Sequence, residues 1–431
     1  MLIQQVTRNV AHHFPDLFTQ LAAINDPRQK HHYSIKEIVF AGIAMFVFKC
    51  GSRLALDNLK DEEPFRSNYF KAFGLRLPDM DTVALVFEKL NENELHRIKK
   101  HLVNQLIKRK VLDRYRVNGM LLVAVDGTGL VSFQSRHCDE CLTKTSKNGV
   151  TTYFHNVLEA KIVTSNGFSF SILTEWIANP GTDYHKQDCE TKAFIRLAGK
   201  LKKEYPRLPV CICADGLYPN ATFFDICKTN KWGYIVVLKD DHHAKLWGKI
   251  ACLNHEQLKK SIIDKVTGEE TRQRYWFSND ISHNGHTHNW IELDEQVEKN
   301  NGREKPPFRF VFLTNQYLSS SNVATICQAG RTRWKIEKQG FDQQKNHGYN
   351  ISHKYCRNSF TGLKSFYQCC QIGHLINQLV ELSVSFRKLV TQKRTIRFLW
   401  LCMVAQLLIM DISLEAIHQP PQQRYISQFI E

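Results

Sequence analysis

Over the first 115 positions apolar residues recur at helical spacing, most clearly in Glu94–Lys110, where Leu95, Ile98, Leu102 and Leu106 align on one face. The other face of that segment carries Arg97, Lys100 and Lys108, a pattern that suits phosphates but that a helix more often simply turns to solvent. From Met120 the period changes. Leu121-Leu122-Val123-Ala124-Val125 is an unbroken apolar run, the pattern of a strand buried on both faces, and it ends at Asp126-Gly127-Thr128. Asn156–Val163 and Phe168–Ile177 read as further strands, Asp188–Leu201 as a helix, and Leu208–Ala214 as a buried strand that delivers Asp215. Pro219–Lys228 then reads as helix and Tyr234–Leu238 as strand.

Strands in meander, followed by strands alternating with helices, predict a mixed α/β sheet with flanking helices. Between residues 243 and 318 short alternating stretches such as Arg274–Phe277 and Asn289–Leu293, separated by Gly, Asn and His clusters, predict a mainly β insertion ending in the strand Phe308–Leu313. Ser319-Ser320-Ser321 offers helix caps, after which one long helix is expected from about Asn322 to near Lys345, interrupted at most by Gly330 and Gly340. More helix is expected over Gly362–Leu389 and Phe398–Ile412. The predicted organisation is a helical region 1–115, the first part of an α/β core 116–242, the β-rich insertion 243–318, the second part of the core 319–385 and a helical tail 386–431. No internal repeat or low-complexity segment interrupts this plan.

Composition narrows the class. The 431 residues, 43% of them hydrophobic, suffice for two or three globular units. With 58 Lys and Arg against 42 Asp and Glu the net charge is +16, which favours a polyanionic partner but is shared by merely basic enzymes. Thirteen Cys are scattered singly, some inside apolar runs such as Val210-Cys211-Ile212-Cys213, and the odd count opposes a disulfide scaffold. The sequence opens without a charged and then apolar leader, and the apolar runs Ile38–Phe48 and Phe398–Met410 fall short of the roughly 20 residues that span a bilayer. A cytoplasmic protein with no membrane partner is expected.

Candidate chemistry centres on carboxylates. Two divalent cations held about 3.5–4 Å apart can stabilise both the attacking and the leaving oxygen of a phosphodiester displacement, and hard cations of this kind take carboxylate oxygens. Asp126 and Asp215 each follow an apolar strand, and adjacent central strands would bring them together. Either Asp alone reads better as the start of a turn, Asp126-Gly127 especially. The third element is Arg331-Thr332-Arg333-Trp334-Lys335-Ile336-Glu337, a single acid among cations.

Val125-Asp126-Gly127-Thr128, Ala214-Asp215-Gly216-Leu217-Tyr218 and Arg333-Trp334-Lys335-Ile336-Glu337 resemble the three catalytic motifs of insertion-sequence family four transposases. His137-Cys138-Asp139-Glu140-Cys141-Leu142-Thr143 and Lys186-Gln187-Asp188-Cys189-Glu190 are similar to one subgroup of them, and the likeness covers roughly residues 120–380. The spacings agree: 89 residues (215 − 126), then 122 (337 − 215), the longer interval holding the insertion. The resemblance implies an RNase H-like core with a catalytic and metal-binding triad of Asp126, Asp215 and Glu337, holding two Mg²⁺ per active site, for which Mn²⁺ can substitute. It further implies double-stranded DNA as partner, with transposon ends bound by residues 1–115 and the insertion, then hydrolytic nicking and transfer of a 3′ hydroxyl to target DNA by at least a homodimer.

Arg333 matches the Arg of the family's Tyr-Arg-Glu-Lys signature, whereas its Tyr position falls on Gly330 and its Lys position on Gln344, with Lys345 one residue later. At about 100° per residue, Lys345 lies roughly 80° around a helix from Glu337 and Arg333 roughly 40° away on the other side. Arg331, Arg333, Lys335, Lys338 and Lys345 are therefore the expected DNA contacts. Two alternatives stand beside the transposase: a metal-dependent nuclease of the same fold without strand transfer, and a non-catalytic DNA-binding protein descended from a transposase.

Other constellations carry less. His137, Cys138, Cys141 and His155 supply four ligand types for structural zinc, but one Cys pair flanked by His is a weak pattern, and zinc is not the favoured reading. Asp188 and Glu190 at a helix start serve the helix dipole by default, and an RNase H-like fold can also bring an extra acid such as Glu190 towards the metals. Trp276 and Trp290 are core packing by default and base-stacking candidates otherwise.

Overall fold

Helical periodicity at both ends and strand patterning between them resolve into an α/β protein with a mixed, mostly antiparallel sheet, in a computed structural model that describes residues 2–264, 267–298, 306–412 and 424–427. The expected helical tail 386–431 thus lies partly outside the described residues. Among these, no helix is long and apolar enough to cross a membrane.

The chain opens with α1 (Leu2–His13), α2 (Leu17–Ala22), α3 (Ile35–Val47), α4 (Arg53–Asp61), α5 (Glu63–Phe73), α6 (Met80–Phe87) and α7 (Glu92–Lys108). Local chemistry sets several of their ends: Ser34 and Glu37 cap α3 reciprocally, and Gly74 closes α5 in the left-handed region at φ 66°. Then come β1 (Leu121–Phe133), β2 (Leu142–Thr145), β3 (Thr151–Val163), β4 (Ser169–Ile177), α8 (Glu190–Glu204), β5 (Val210–Ala214), α9 (Ala221–Asn230), β6 (Gly233–Val237) and α10 (Ala244–Ala251). The expected β insertion supplies β7 (Glu256–Ile263), β8 (Glu270–His283) and β9 (His286–Glu298), and β10 (Phe308–Thr314) closes it. The remaining helices are α11 (Val323–Thr332), α12 (Gln343–Asn346), α13 (Phe360–Glu381), α14 (Val384–Arg387) and α15 (Ile396–Ile409).

Two of these elements depart from expectation. β1 does not stop at Asp126 but continues to Phe133, its second half pairing with β3 and burying Thr128, Leu130 and Val131. The single helix expected over Asn322–Lys345 is broken: α11 ends at Thr332, a π-helical turn spans Ile336–Asp342, and only then does α12 follow. The Ser319-Ser320-Ser321 cap is also displaced. Asn322 takes the N-cap position, and its Oδ1 instead accepts the Ser319 N–H at 2.9 Å.

The chain divides into two compact units that gather segments distant in sequence. One comprises Met1–Arg114, Gly127–Leu197 and Lys335–Glu431. Its centre is α13, buried along most of its length and packed on α1, α3, α6, α7 and β4. Gly373 permits the close α13–α3 crossing, since a Cβ there would lie 2.8 Å from Phe46 Cβ. In the sheet of this unit β3 lies between β1 and β4, with β3 and β4 antiparallel from Asn156↔Ile177 to Val163↔Ser169. Leu95, Ile98, Leu102 and Leu106 of α7 are fully buried as their spacing predicts, but so is Lys99. Its Nζ donates to Ser171 Oγ (2.8 Å) and Thr174 Oγ1 (2.7 Å), and Thr174 in turn donates to Glu159 Oε1 at 2.6 Å, which also receives the Tyr367 hydroxyl. An ammonium and a carboxylate taken out of water persist only because such a chain of hydrogen bonds replaces their hydration.

The other unit comprises Tyr115–Asp126 and Ala198–Trp334. The first half of β1 pairs parallel with β5, and β5 parallel with β6; β10, β9, β8 and β7 extend the sheet antiparallel. Helix α11 packs on β6, β8 and β9. Gly330 makes that approach: a Cβ there would stand 2.9 Å from Ile235 Cγ2 and from Phe312 Cε1. In the same sheet the ring of His288, fully buried, shares a 2.7 Å hydrogen bond between its Nδ1 and the Tyr234 hydroxyl.

Two measurable consequences follow from these contacts. Gly330→Ala, which would stabilise an isolated helix by about 1 kcal/mol, should here destabilise the protein by about 1–3 kcal/mol through overpacking, read as a lower urea midpoint; an unchanged or higher midpoint contradicts the close contact. Burial, with His286, His283 and His243 adding to it, holds His288 down to about 4 from its usual 6.5. Between those pH values the unfolded chain binds a proton that the folded chain refuses. The stability contributed by neutral His288 is therefore complete above pH 6.5 and declines towards pH 4, by on the order of 2 kcal/mol. His288→Gln should make the fall of stability over that interval shallower, and an identical slope in both proteins refutes the assignment.

Candidate functional site

The pairing of β1 with β5 decides whether Asp126 and Asp215 meet. Leu121 faces Val210, Val123 faces Ile212 and Ala124 faces Cys213, a constant offset of 89 positions. Two residues beyond the last of these pairs, the same offset sets Asp126 against Asp215. Neighbouring strands run about 4.8 Å apart, and residues level in parallel strands point to the same face. The ladder ends two residues before both Asp, so Asp126, inside β1, and Asp215, just past the carboxyl end of β5, leave it from the same end of adjacent strands.

Arg333, just past α11, brings its Nη1 to 3.8 Å from Asp126 Oδ2, with both side chains largely shielded from solvent. A guanidinium at that distance lowers the cost of gathering carboxylates before any cation is bound. Asp215 also fulfils the turn role expected of an Asp after a strand, its Oδ1 accepting the Leu217 N–H at 2.9 Å. Gly216 admits a side chain that the sequence reading missed: the aliphatic stem of Lys239 lies across it, so close that a Cβ would come within 2.6 Å of Lys239 Cγ. The only sequence signal for Lys239 is its place just after β6, the parallel neighbour of β5.

Glu337 belongs to the other unit, on the π-helical turn, where it and Lys338 are exposed and Ile336 anchors the turn in the core. Single π turns within helices are rare and recur at functional sites. The turn also cancels the angular reasoning that placed Lys345. A wider helix rotates less per residue than 100°, so offsets counted on an α-helical wheel do not carry across Ile336–Asp342. Lys345 is half-buried on α12. Gln344, at the signature's Lys position, is fully buried: its Oε1 accepts the Lys161 ammonium at 3.1 Å and its amide donates to Gln371. A lysine in place of Gln344 would set a second ammonium beside that of Lys161.

Of the remaining expected cations, Arg331 is a bidentate partner of Glu295 (2.7 and 3.0 Å) with its guanidinium over the Phe310 ring, and Lys335 is half-buried. Asp188 binds Arg196 at 2.7 Å and accepts the Ala178 N–H, holding the segment before α8. Glu190, the first residue of α8, instead lies against Gly127, where a Cβ would be 2.6 Å from its Oε2. Any larger residue at Gly127 would displace the Glu190 carboxylate, a role beyond the turn propensity that its position suggests. Trp290 is core, packed on His255, whereas Trp276 is only partly buried, with Arg274 over its ring.

The loop between β1 and β2 and the strand β3 bring His137, Cys138, Cys141 and His155 together, one ligand atom from each lying within 4.8 Å of all the others. Burial holds the His155 imidazole down to about 4, and burial beside Cys141 pushes the Cys138 thiol up to about 12. With the site geometry in place, comparison with known proteins gives no relative: no family model matches the chain, and no curated protein matches it significantly.

Proposed function

We propose that this chain is a DNA transposase of the DDE class, cleaving and joining DNA through divalent cations held by Asp126, Asp215 and Glu337. The observation that carries the reading is the parallel β1–β5 register, whose constant offset of 89 positions equals the Asp126–Asp215 spacing and brings both motifs to the same end of adjacent strands. The order of elements supports it: an antiparallel hairpin β3–β4 beside β1, then parallel β5 and β6 joined through α9, is the succession that an RNase H-like core requires. The β strands between the second Asp and the Glu agree with the insertion that the resemblance implies.

In this reading Asp126, Asp215 and Glu337 would hold two Mg²⁺, or Mn²⁺, together with the substrate phosphate, and the ions would supply charge stabilisation to the displacement. The residues of the chain do the positioning. Asp126 and Asp215 hold one face of the site, Arg333 beside Asp126 clamps the phosphate next to the scissile bond, and Lys239 over Gly216 adds a cation on the side of Asp215. Glu337 supplies the third carboxylate, with Lys335, Lys338 and Lys345 along the bound backbone. The working complex holds two DNA ends and therefore two copies of the chain, acting in the cytoplasm.

The test is incubation of the purified protein and Mg²⁺ with linear DNA carrying the sequences that flank its coding region, with cleaved and joined products mapped separately. Cleavage without joining identifies a nuclease, and binding without either identifies a DNA-binding protein. Asp126→Asn and Asp215→Asn should each lower cleavage by about a hundredfold or more while end affinity stays near that of the parent, since ligands but not cations are lost. Full cleavage by either variant removes the triad.

Arg333→Lys keeps the charge and loses the planar fork. Its cleavage rate should fall by about tenfold or more while end affinity at fixed salt changes far less. Equal losses in rate and affinity would make Arg333 a general backbone contact.

A further inference from the structure

We infer that His137, Cys138, Cys141 and His155 form a structural zinc site, separate from the carboxylates and filled by a cation of different chemistry. Zinc bonds to thiolate at about 2.3 Å and to imidazole at about 2.0–2.1 Å, so the edges of a tetrahedral site with two of each should measure about 3.8 Å for S–S, 3.6 Å for S–N and 3.4 Å for N–N. Four of the six edges match: 3.7 Å between Cys138 Sγ and Cys141 Sγ, 3.4 and 3.5 Å from those sulfurs to His155 Nε2, and 3.4 Å from His155 Nε2 to His137 Nδ1, while the two edges from His137 to the sulfurs are within 4.8 Å.

Hydrogen bonding alone accounts poorly for this convergence. His155 Nε2 is approached by three groups at once, and a neutral ring nitrogen has one lone pair or one proton to offer. A central cation satisfies all four atoms together.

The surroundings fit a closed site. Cys141 and His155 are fully buried and the other two half-buried. The His155 ring stacks on Phe360 at 3.9 Å between centroids and the His137 ring on Phe133 at 4.4 Å, which fixes both imidazole planes. The Cys138 N–H donates to Cys141 Sγ at 3.4 Å, tying the two ends of the Cys-x-x-Cys turn together. Val131, Leu363 and Trp176 complete an apolar wall. Four protein ligands leave no position open for substrate, so the role is structural, pinning the irregular segment 134–141 to β3. Thiolate and imidazole select zinc over Mg²⁺, which takes oxygen. Binding releases the two thiol protons and involves no redox step.

The test uses the full chain, purified under reducing conditions without chelator and dialysed. Elemental analysis should find about one zinc per chain in the parent and equally in Asp126→Asn, which separates this site from the proposed catalytic one, and Cys138→Ser and His155→Asn should lose it. Cobalt exchanged into the parent should show intense tetrahedral ligand-field bands with thiolate charge transfer. His137→Ala, at the half-buried edge, should bind cobalt weaker by about a hundredfold or more while keeping the parent's circular dichroism, so that a fold failure in the buried variants leaves the question decided. A parent chain that holds no zinc and takes up none, an octahedral cobalt spectrum, or a disulfide between Cys138 and Cys141 overturns the inference.

Discussion

The parallel register between β1 and β5 is the constraint on which the proposed chemistry depends. A slip of one residue would change which residues stand level where the ladder ends, two positions before Asp126 and Asp215, because side chains alternate along a strand. The register holds because Leu121–Val125 and Val210–Ala214 are buried throughout, so a shifted pairing would have to move a whole set of apolar side chains. Burying about ten such residues makes the position of two polar ones a consequence of hydrophobic packing.

Cations illustrate how little a net charge says about where charge is used. Lys99 and Lys161 are interior, satisfied by Ser, Thr and Gln, and Arg331, Arg196 and Arg309 hold carboxylates of neighbouring elements. Burial draws the Lys161 ammonium down to about 8. Of the cations near the proposed site, Arg333 stands beside Asp126 and the stem of Lys239 lies across Gly216, and proximity rather than number distinguishes them.

The glycines of the motifs have a common physical meaning. Gly127 makes room for Glu190, Gly216 for Lys239 and Gly330 for the contact of α11 with Ile235 and Phe312. At each a Cβ would meet its neighbour below 3 Å, so each glycine fixes a close approach rather than a turn.

Apolar periodicity alone determined most of the elements, because burial of one face or of both is written directly in residue spacing: α7, β3 to β6, α9 and β10 lie within a few residues of where their patterns place them. It also marked Asp126 and Asp215 as residues following apolar runs, and the four Cys and His residues as ligand types. Three things required the tertiary structure. The continuation of β1 past Asp126 depends on strand partners that local alternation does not name, and the π turn at Ile336–Asp342 depends on Gly340 packing against Lys161 and Ser169. The convergence of His137, Cys138, Cys141 and His155 depends on a loop folding back on β3, a distance in space that spacing along the chain does not measure.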